Sequence, residues 1–327
     1  MNKIGWSLVV VILLLLIVTL VSVTSGSIKV GSLEFIQGLF MGTNKKVEII
    51  KDLRLPRIIV ALFVGATLAV SGVLLQAVMR NPLADAGVIG ISSGAGVVSL
   101  LFVTLFPQLF YWLPVFAFFG GALACFLVYS FSWKSGLSPI RIILVGLAIN
   151  ATFTGLGQSF NYRGSYAVTS INQAVTSIFT MKTWNDVHVM LIYGSIGLVV
   201  SFFLYAWCNM LSLQDKSAQN LGLRVTRARL IISVVAVLLA AVATAIGGMI
   251  AFVGLLVPHI ARLLVGSDHK ILIPFSALGG ALLVLSADTL GRTVLAPSEI
   301  PASIIMAVIG GPFLIFMLRK SDKIRGN

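Results

Sequence analysis

The chain has 327 residues, of which 58% are hydrophobic and 10% charged, with a formal net charge of +13. A soluble domain is about a quarter charged because it must cover itself with polar surface, so this composition excludes one and predicts an integral membrane protein. The cations stand singly or in pairs between apolar blocks, without interleaved aromatics, so anionic lipid headgroups account for the positive excess and nucleic acid is not an expected partner.

A spanning helix needs ~20 apolar residues. The first uncharged run, about 6–24, follows Lys3 and reads as a retained span. A cleaved signal peptide is the alternative, although the run is long for one. A polar connection over 25–57 then carries Arg54 and Arg57 around Leu55-Pro56, ahead of an apolar run at 58–79. Residues 86–133 hold no charge and are interrupted by Pro107 and Pro114, which reads as two spans. Further runs lie at 142–160 and 189–209, with polar connections at 161–186 and 210–229. Residues 230–261 lack Asp, Glu, Lys and Arg and contain Gly247-Gly248 and Pro258. They form either one very long helix or two with a break near the glycines. Runs at 271–287 and 300–318 complete the series.

Lys3 and the basic end "LRKSDKIRGN" place both termini in the cytoplasm by the positive-inside rule. An even number of spans follows, and splitting the 230–264 region makes it about ten. The expected fold is an all-α integral membrane protein with about ten transmembrane helices in one domain, 1–327. "RIIVALFVGATLAVSG" (57–72) and "RLIISVVAVLLAAVATAIGG" (229–248) look loosely alike and would enter the membrane from opposite sides. Either spans 2–5 and 7–10 form an inverted repeat, or shared apolar composition explains the likeness. Small-residue clusters at 90–96, 118–124 and 276–282 predict close helix approach. Arg54, Arg57 and Arg292 fall outside, against the charge bias.

Several chemistries are disfavoured. No G-x-x-x-x-G-K-[ST] loop is present, so the chain itself is not expected to hydrolyse ATP. His188, His259 and His269 share no metal-ligand spacing, and Cys125 and Cys208 sit in apolar runs without a CxxC pair. No Ser/His/Asp arrangement assembles, so no enzyme activity, cofactor or metal is expected. Asp52, Asp85, Asp186, Asp215, Asp268, Asp288 and Glu299 all lie in loops or at span ends. Asp288 comes nearest to mid-span and reads as a helix-end group pairing with Arg292 at i+4. Without a buried ion-coupling carboxylate, the driving energy should come from a partner protein.

The stretches "RLPRIIVALFVGATLAVSGVLLQAVMRNPLADAGVIGISSGAGV" (54–97), "GMIAFVGLLVPHIARLLVGSDHKILIPFSALGGALLVLSADTLGR" (248–292) and "EIPASIIMAVIGGPFLIFMLRK" (299–320) resemble the FecCD-type ABC permeases, importers of iron–siderophores, haem and vitamin B12. The resemblance is collinear over nearly the whole chain. It implies ten spans and a homo- or heterodimer in the cytoplasmic membrane of a bacterium. It also implies two cytoplasmic ATPase subunits that use ATP, and an extracytoplasmic binding protein. By that resemblance Arg54, Arg57 and Arg292 would face outward and dock carboxylates of the binding protein, for which bidentate guanidinium is suited; headgroup anchoring is the alternative. "LSLQDKSAQNLGLRVTR" (211–227) matches the segment that docks on the ATPase. Gln214, Asp215, Ala218, Leu221 and Gly222 would carry that coupling, Ala218 and Gly222 as a small-residue face and Leu221 and Leu223 as apolar contacts. Gln214-Asp215 departs from the family's commoner Gly-Glu, which leaves the contacts there open. The translocation path would run at the dimer interface beside 142–160 and 300–318, with Asn150, Thr152, Thr154, Gln158, Ser303 and Met306 as lining candidates or, equally, packing residues. "FTMKTWNDV" (179–187) and "SEIPASI" (298–304) are similar to haem permeases of Gram-positive bacteria. The expected cargo is a bulky iron complex, ferric siderophore or haem. Vitamin B12 import by the same mechanism, or an ion-coupled secondary carrier, is the alternative.

Overall fold

A computed structural model of the chain describes residues 3–25, 45–132, 139–163, 179–296 and 298–325. All regular structure among them is helical. In chain order the α-helices are α1 (Lys3–Thr24), α2 (Lys45–Met79), α3 (Ile91–Leu105), α4 (Leu113–Ser132), α5 (Pro139–Arg163) and α6 (Trp184–Phe203). They continue with α7 (Tyr205–Leu211), α8 (Asp215–Asn220), α9 (Val225–Gly247), α10 (Val253–Val265), α11 (His269–Thr293) and α12 (Ala302–Arg325). A 3-10 turn, Pro107–Trp112, joins α3 to α4. The break expected at Pro107 is thus present, and Pro114 sits in the first turn of α4, where a missing N–H costs nothing.

Seven helices among the described residues are long and apolar enough to cross a bilayer. Two further apolar helices, α3 and α10, are shorter than a full crossing requires, and α12 is apolar over Ala302–Phe316. The uncharged 230–261 run divides at its glycines. α9 ends at Gly247, and Gly248 takes φ 76, ψ −175, a conformation open to glycine almost alone.

α2 is the centre of the packing, resting most extensively on α11 and α9 and also touching α6 and α10. Its sequence explains this, because from Ile58 to Met79 every residue but Gln76 is apolar or small, and such a helix is stable only when surrounded. The helix starts at Lys45, well before the expected 58, and runs straight through Pro56, which removes one backbone N–H from its ladder. Small residues set the closest approaches. A Cβ on Gly65 would lie 2.1 Å from the Gly280 carbonyl oxygen, and one on Gly94 2.5 Å from that of Gly120. α1 lies outside on α11 and exposes Leu13, Leu14, Leu16 and Ile17. α5 packs on α3 and α4, and α12 on α11 and α10. Both carry exposed apolar side chains, Leu144, Leu147 and Leu156 on one and Ile304, Val308 and Ile315 on the other.

Candidate docking and coupling sites

Arg54 and Arg57 stand three residues apart and so share one face of α2. That face looks at the C-terminal end of α1 and the last turns of α11. The final carbonyls of α1 have no helical partner and carry the negative end of its dipole, and arginines satisfy them. Arg54 Nη1 donates to the Val23 carbonyl at 2.8 Å. Arg292 Nη2 donates to the Ser22 carbonyl at 2.6 Å and to Ser22 Oγ at 2.5 Å, while its Nη1 donates to the Ser25 carbonyl at 3.2 Å.

Arg57 is engaged on both edges of its guanidinium. Nε and Nη2 form a fork onto Asp288, at 2.9 Å to Oδ2 and 2.7 Å to Oδ1. Nη1 donates to Glu299 at 3.0 and 3.1 Å, and the Thr180 hydroxyl donates to the same carboxylate at 2.6 Å. Asp288 is buried at 2% side-chain exposure, whereas Glu299 retains 37%. Burial would raise the Glu299 carboxyl; the Thr180 hydroxyl and the Arg57 guanidinium outweigh it and hold the group below its ordinary value.

The pairing of Asp288 with Arg292 expected from i,i+4 spacing is therefore secondary. Arg292 Nε approaches Asp288 Oδ2 only to 3.7 Å and makes no hydrogen bond. The reason is geometric: one buried carboxylate is satisfied better by a planar two-donor fork from a neighbouring helix than by a single nitrogen from its own. Asp288, Glu299 and Thr180 are the participants that sequence reasoning missed. A buried Arg57 demands a nearby counter-charge, but nothing local points to residues more than 120 positions away.

The turn before α6 completes this end. Phe179 is fully buried and pins it, and Thr183 with Asp186 forms a reciprocal cap on α6, Thr183 N donating to Asp186 Oδ2 at 2.9 Å. Lys182 approaches Asp186 at 3.7 Å; burial lowers the Lys182 amine and Asp186 opposes the shift.

At the other end of α2, Arg80 follows the last helical residue with φ 48. Its Nε donates to the Leu211 carbonyl at 2.6 Å and its Nη2 donates to that of Leu213. Asp215, the first residue of α8, is shared between Arg80 at 2.6 Å and Arg229 at 3.0 Å. α8 is thus fastened to the ends of both α2 and α9.

Within the expected coupling segment, Gln214, Leu221 and Gly222 are exposed, Leu221 at 61%. Ala218 and Leu223 are not available to a partner: both are buried in the chain's own core. The cause is the way α8 ends. Gly222 N donates to the Gln219 carbonyl at 2.9 Å and Leu223 N to the Ala218 carbonyl at 3.1 Å, with Gly222 at φ 88. This is a Schellman closure, which brings the residues at the Ala218 and Leu223 positions into apolar contact.

Of the path candidates, Thr152 and Gln158 are exposed and Asn150, Thr154 and Ser303 half-buried, the Thr152 hydroxyl bonding back to the Ala148 carbonyl at 2.9 Å. Met306 is fully buried in the core beside α11 and fills it, so it presents nothing to a surface. Among the described residues no three His, Cys, Asp or Glu side chains group to hold a metal, and Cys125 and Cys208 are buried thiols.

The sequence matches the FecCD transport family over residues 14–320. It is 39% identical over 315 residues to the "Probable heme-iron transport system permease protein IsdF" of Staphylococcus aureus strain MSSA476, covering 96% of each chain. The protein of the same name from strain Newman matches to the same extent. Among solved structures, an ABC transporter described as of metal-chelate type, in an inward-facing conformation, superposes with a TM-score of 0.80 and 30% identity over 97% of this chain and 99% of the other. PsaBC from Streptococcus pneumoniae, solved with a Fab, shares the fold alone, at a TM-score of 0.59 and 17% identity over 87% and 94% of the two chains.

Proposed function

Because the chain belongs to the FecCD transport family, we propose that it is the membrane permease subunit of an ATP-driven importer whose cargo is haem. The observation that carries the cargo is its 39% identity, over 96% of its length, to a permease named for heme-iron transport. In this reading two permease chains form the channel in a bacterial plasma membrane, with both termini in the cytoplasm. Two ATPase subunits engage the exposed side of α8, and an extracytoplasmic binding protein delivers cargo to the arginine-bearing end. α3, α10 and α12 count as spans and bring the total to ten. The dimer interface falls on α5 and α12, whose unpartnered apolar faces support that placement.

The inverted repeat gains support from helix order. α2 to α5 and α9 to α12 each run long, short, long, long. Each short member also opens from a left-handed residue, Gly90 at φ 85 before α3 and Phe252 at φ 70 before α10.

Uptake in a strain deleted for its own iron-complex permeases is the test, comparing haem, a ferric hydroxamate and a ferric catecholate. Haem uptake alone is expected. Uptake of a siderophore without haem overturns the cargo, and uptake that survives loss of the ATPase overturns the importer class in favour of an ion-coupled carrier. For the docking role, charge reversal at Arg57 is a poor probe: a new carboxylate there would face Asp288 and Glu299 inside a half-buried cluster and break the fold. Arg54, half-exposed at the rim, is the cleaner position.

A further inference from the structure

The two carboxylates on Arg57 differ in kind. Asp288 is buried within α11 and takes the inner fork of the guanidinium. Glu299 reaches the outer edge from an irregular stretch between α11 and α12, with 37% of its side chain open to solvent. Ile300 N donates to the Gly291 carbonyl at 2.8 Å, Thr180 and Arg57 hold Glu299 itself, and α12 starts three residues later at Ala302.

This raises a difficulty for docking on Arg57. A guanidinium has five N–H donors; two here bind Asp288 and Nη1 binds Glu299. An acidic side chain arriving from outside would be the third carboxylate around one cation, and like charges at that distance repel. Exchange removes the difficulty: the newcomer replaces Glu299, one charge-assisted pair is traded for another, and the net electrostatic cost is small.

We propose that Glu299 is the internal occupant of a carboxylate site on the outer edge of Arg57, and that an acidic side chain of the docking protein displaces it. Displacement frees the 298–301 stretch and with it the start of α12, a helix assigned above to the dimer interface. Docking is thereby converted into movement at the mouth of the path by competition for one guanidinium edge. The proposal rests on the reading that this end of the protein receives an extracytoplasmic binding protein.

The experiment uses the full assembly, permease with its ATPase subunits in lipid nanodiscs, titrated with its haem-loaded extracytoplasmic binding protein. Three variants are compared with the native chain. Glu299→Gln keeps the shape and removes the competing charge; it should bind the docking protein about fivefold more tightly, the scale of a partly exposed ion pair. Thr180→Val keeps every charge and removes one bond to Glu299, and should shift affinity in the same direction by a smaller factor. It leaves both ion pairs on Arg57 in place, so it keeps the test decisive if Glu299→Gln assembles poorly. Hydrogen exchange at the Ile300 amide should accelerate when the native complex is docked. Arg54→Glu is the control for the underlying reading and should lose docking. If Arg54→Glu docks normally, the docking reading itself fails. If Arg54→Glu loses docking while Glu299→Gln and Thr180→Val bind no more tightly than native, the exchange is wrong and the docking reading stands.

Discussion

Asp85 shows at the residue scale how a buried carboxylate is used without a cation. It lies in the turn between α2 and α3, against Gly254, and Gly87 N donates to its Oδ2 at 3.2 Å. Burial raises its pKa to about 6, while the backbone N–H groups of Gly87, Ala86, Phe252 and Val88 pull the other way. The folded protein therefore holds this proton more tightly than the unfolded chain between about pH 3.8 and 6. Stability through this group falls as pH rises across that window, and the full penalty, about 3 kcal/mol, is present above it. Glu299 and Asp268 are shifted downward and contribute the opposite slope only at lower pH, whereas His269, lowered to about 4 by burial, contributes it between about pH 4 and 6.5. Asp85→Asn removes the acid-side gain and leaves the His269 loss, so in detergent the variant should lose more melting temperature than the native protein when pH falls from 7 to 5; an identical response of the two would contradict it. Arg54, Arg57 and Arg292 were legible as anomalies because they break the expected charge bias beside a membrane. Their partners were not, since Arg57 and Asp288 are 231 residues apart and Arg292 and Ser22 are 270 apart.

Among the elements, α8 separates what spacing predicts from what closure imposes. Ala218 and Gly222 suggested a small-residue face for a partner. The Schellman geometry turns Ala218 inward and leaves Gly222 outside with nothing near a prospective Cβ. Gly222 is thus needed for its backbone conformation rather than its size. Gly222→Ala should cost about 1–2 kcal/mol of local stability by forcing a left-handed alanine, fraying α8. The assembled transporter should then hydrolyse ATP with weakened coupling to uptake, measured as haem moved per ATP consumed; unchanged coupling would show that α8 does not need this closure. The division of 230–261 into α9 and α10 was legible at Gly247-Gly248. The start of α2 at Lys45 was not, because a run of Lys, Glu and Asp reads as a connection until the helix behind it holds its first turns in register.

Across the whole molecule, α2 joins the two ends. Arg57 lies in its first half inside the ion cluster, and Arg80 directly follows its last residue and grips Asp215 of α8. One continuous helix, closely packed from Ile58 to Met79, is a stiff link between a proposed docking end and a proposed coupling end. Asp215→Asn should leave assembly intact and reduce the stimulation of ATP hydrolysis by the docking protein, because it releases α8 from Arg80 and Arg229 together. Full stimulation in that variant would place the link elsewhere.

Composition, charge placement and three collinear motifs were sufficient to determine class, approximate span pattern and family, because hydropathy and helix-breaking residues act locally and a membrane punishes every exception. Which arginine meets which carboxylate, which face of α8 remains open, and that Met306 packs inward were decided only by tertiary structure. Those outcomes depend on helices far apart in the chain competing for the same buried charge and the same space, and no local pattern records who wins.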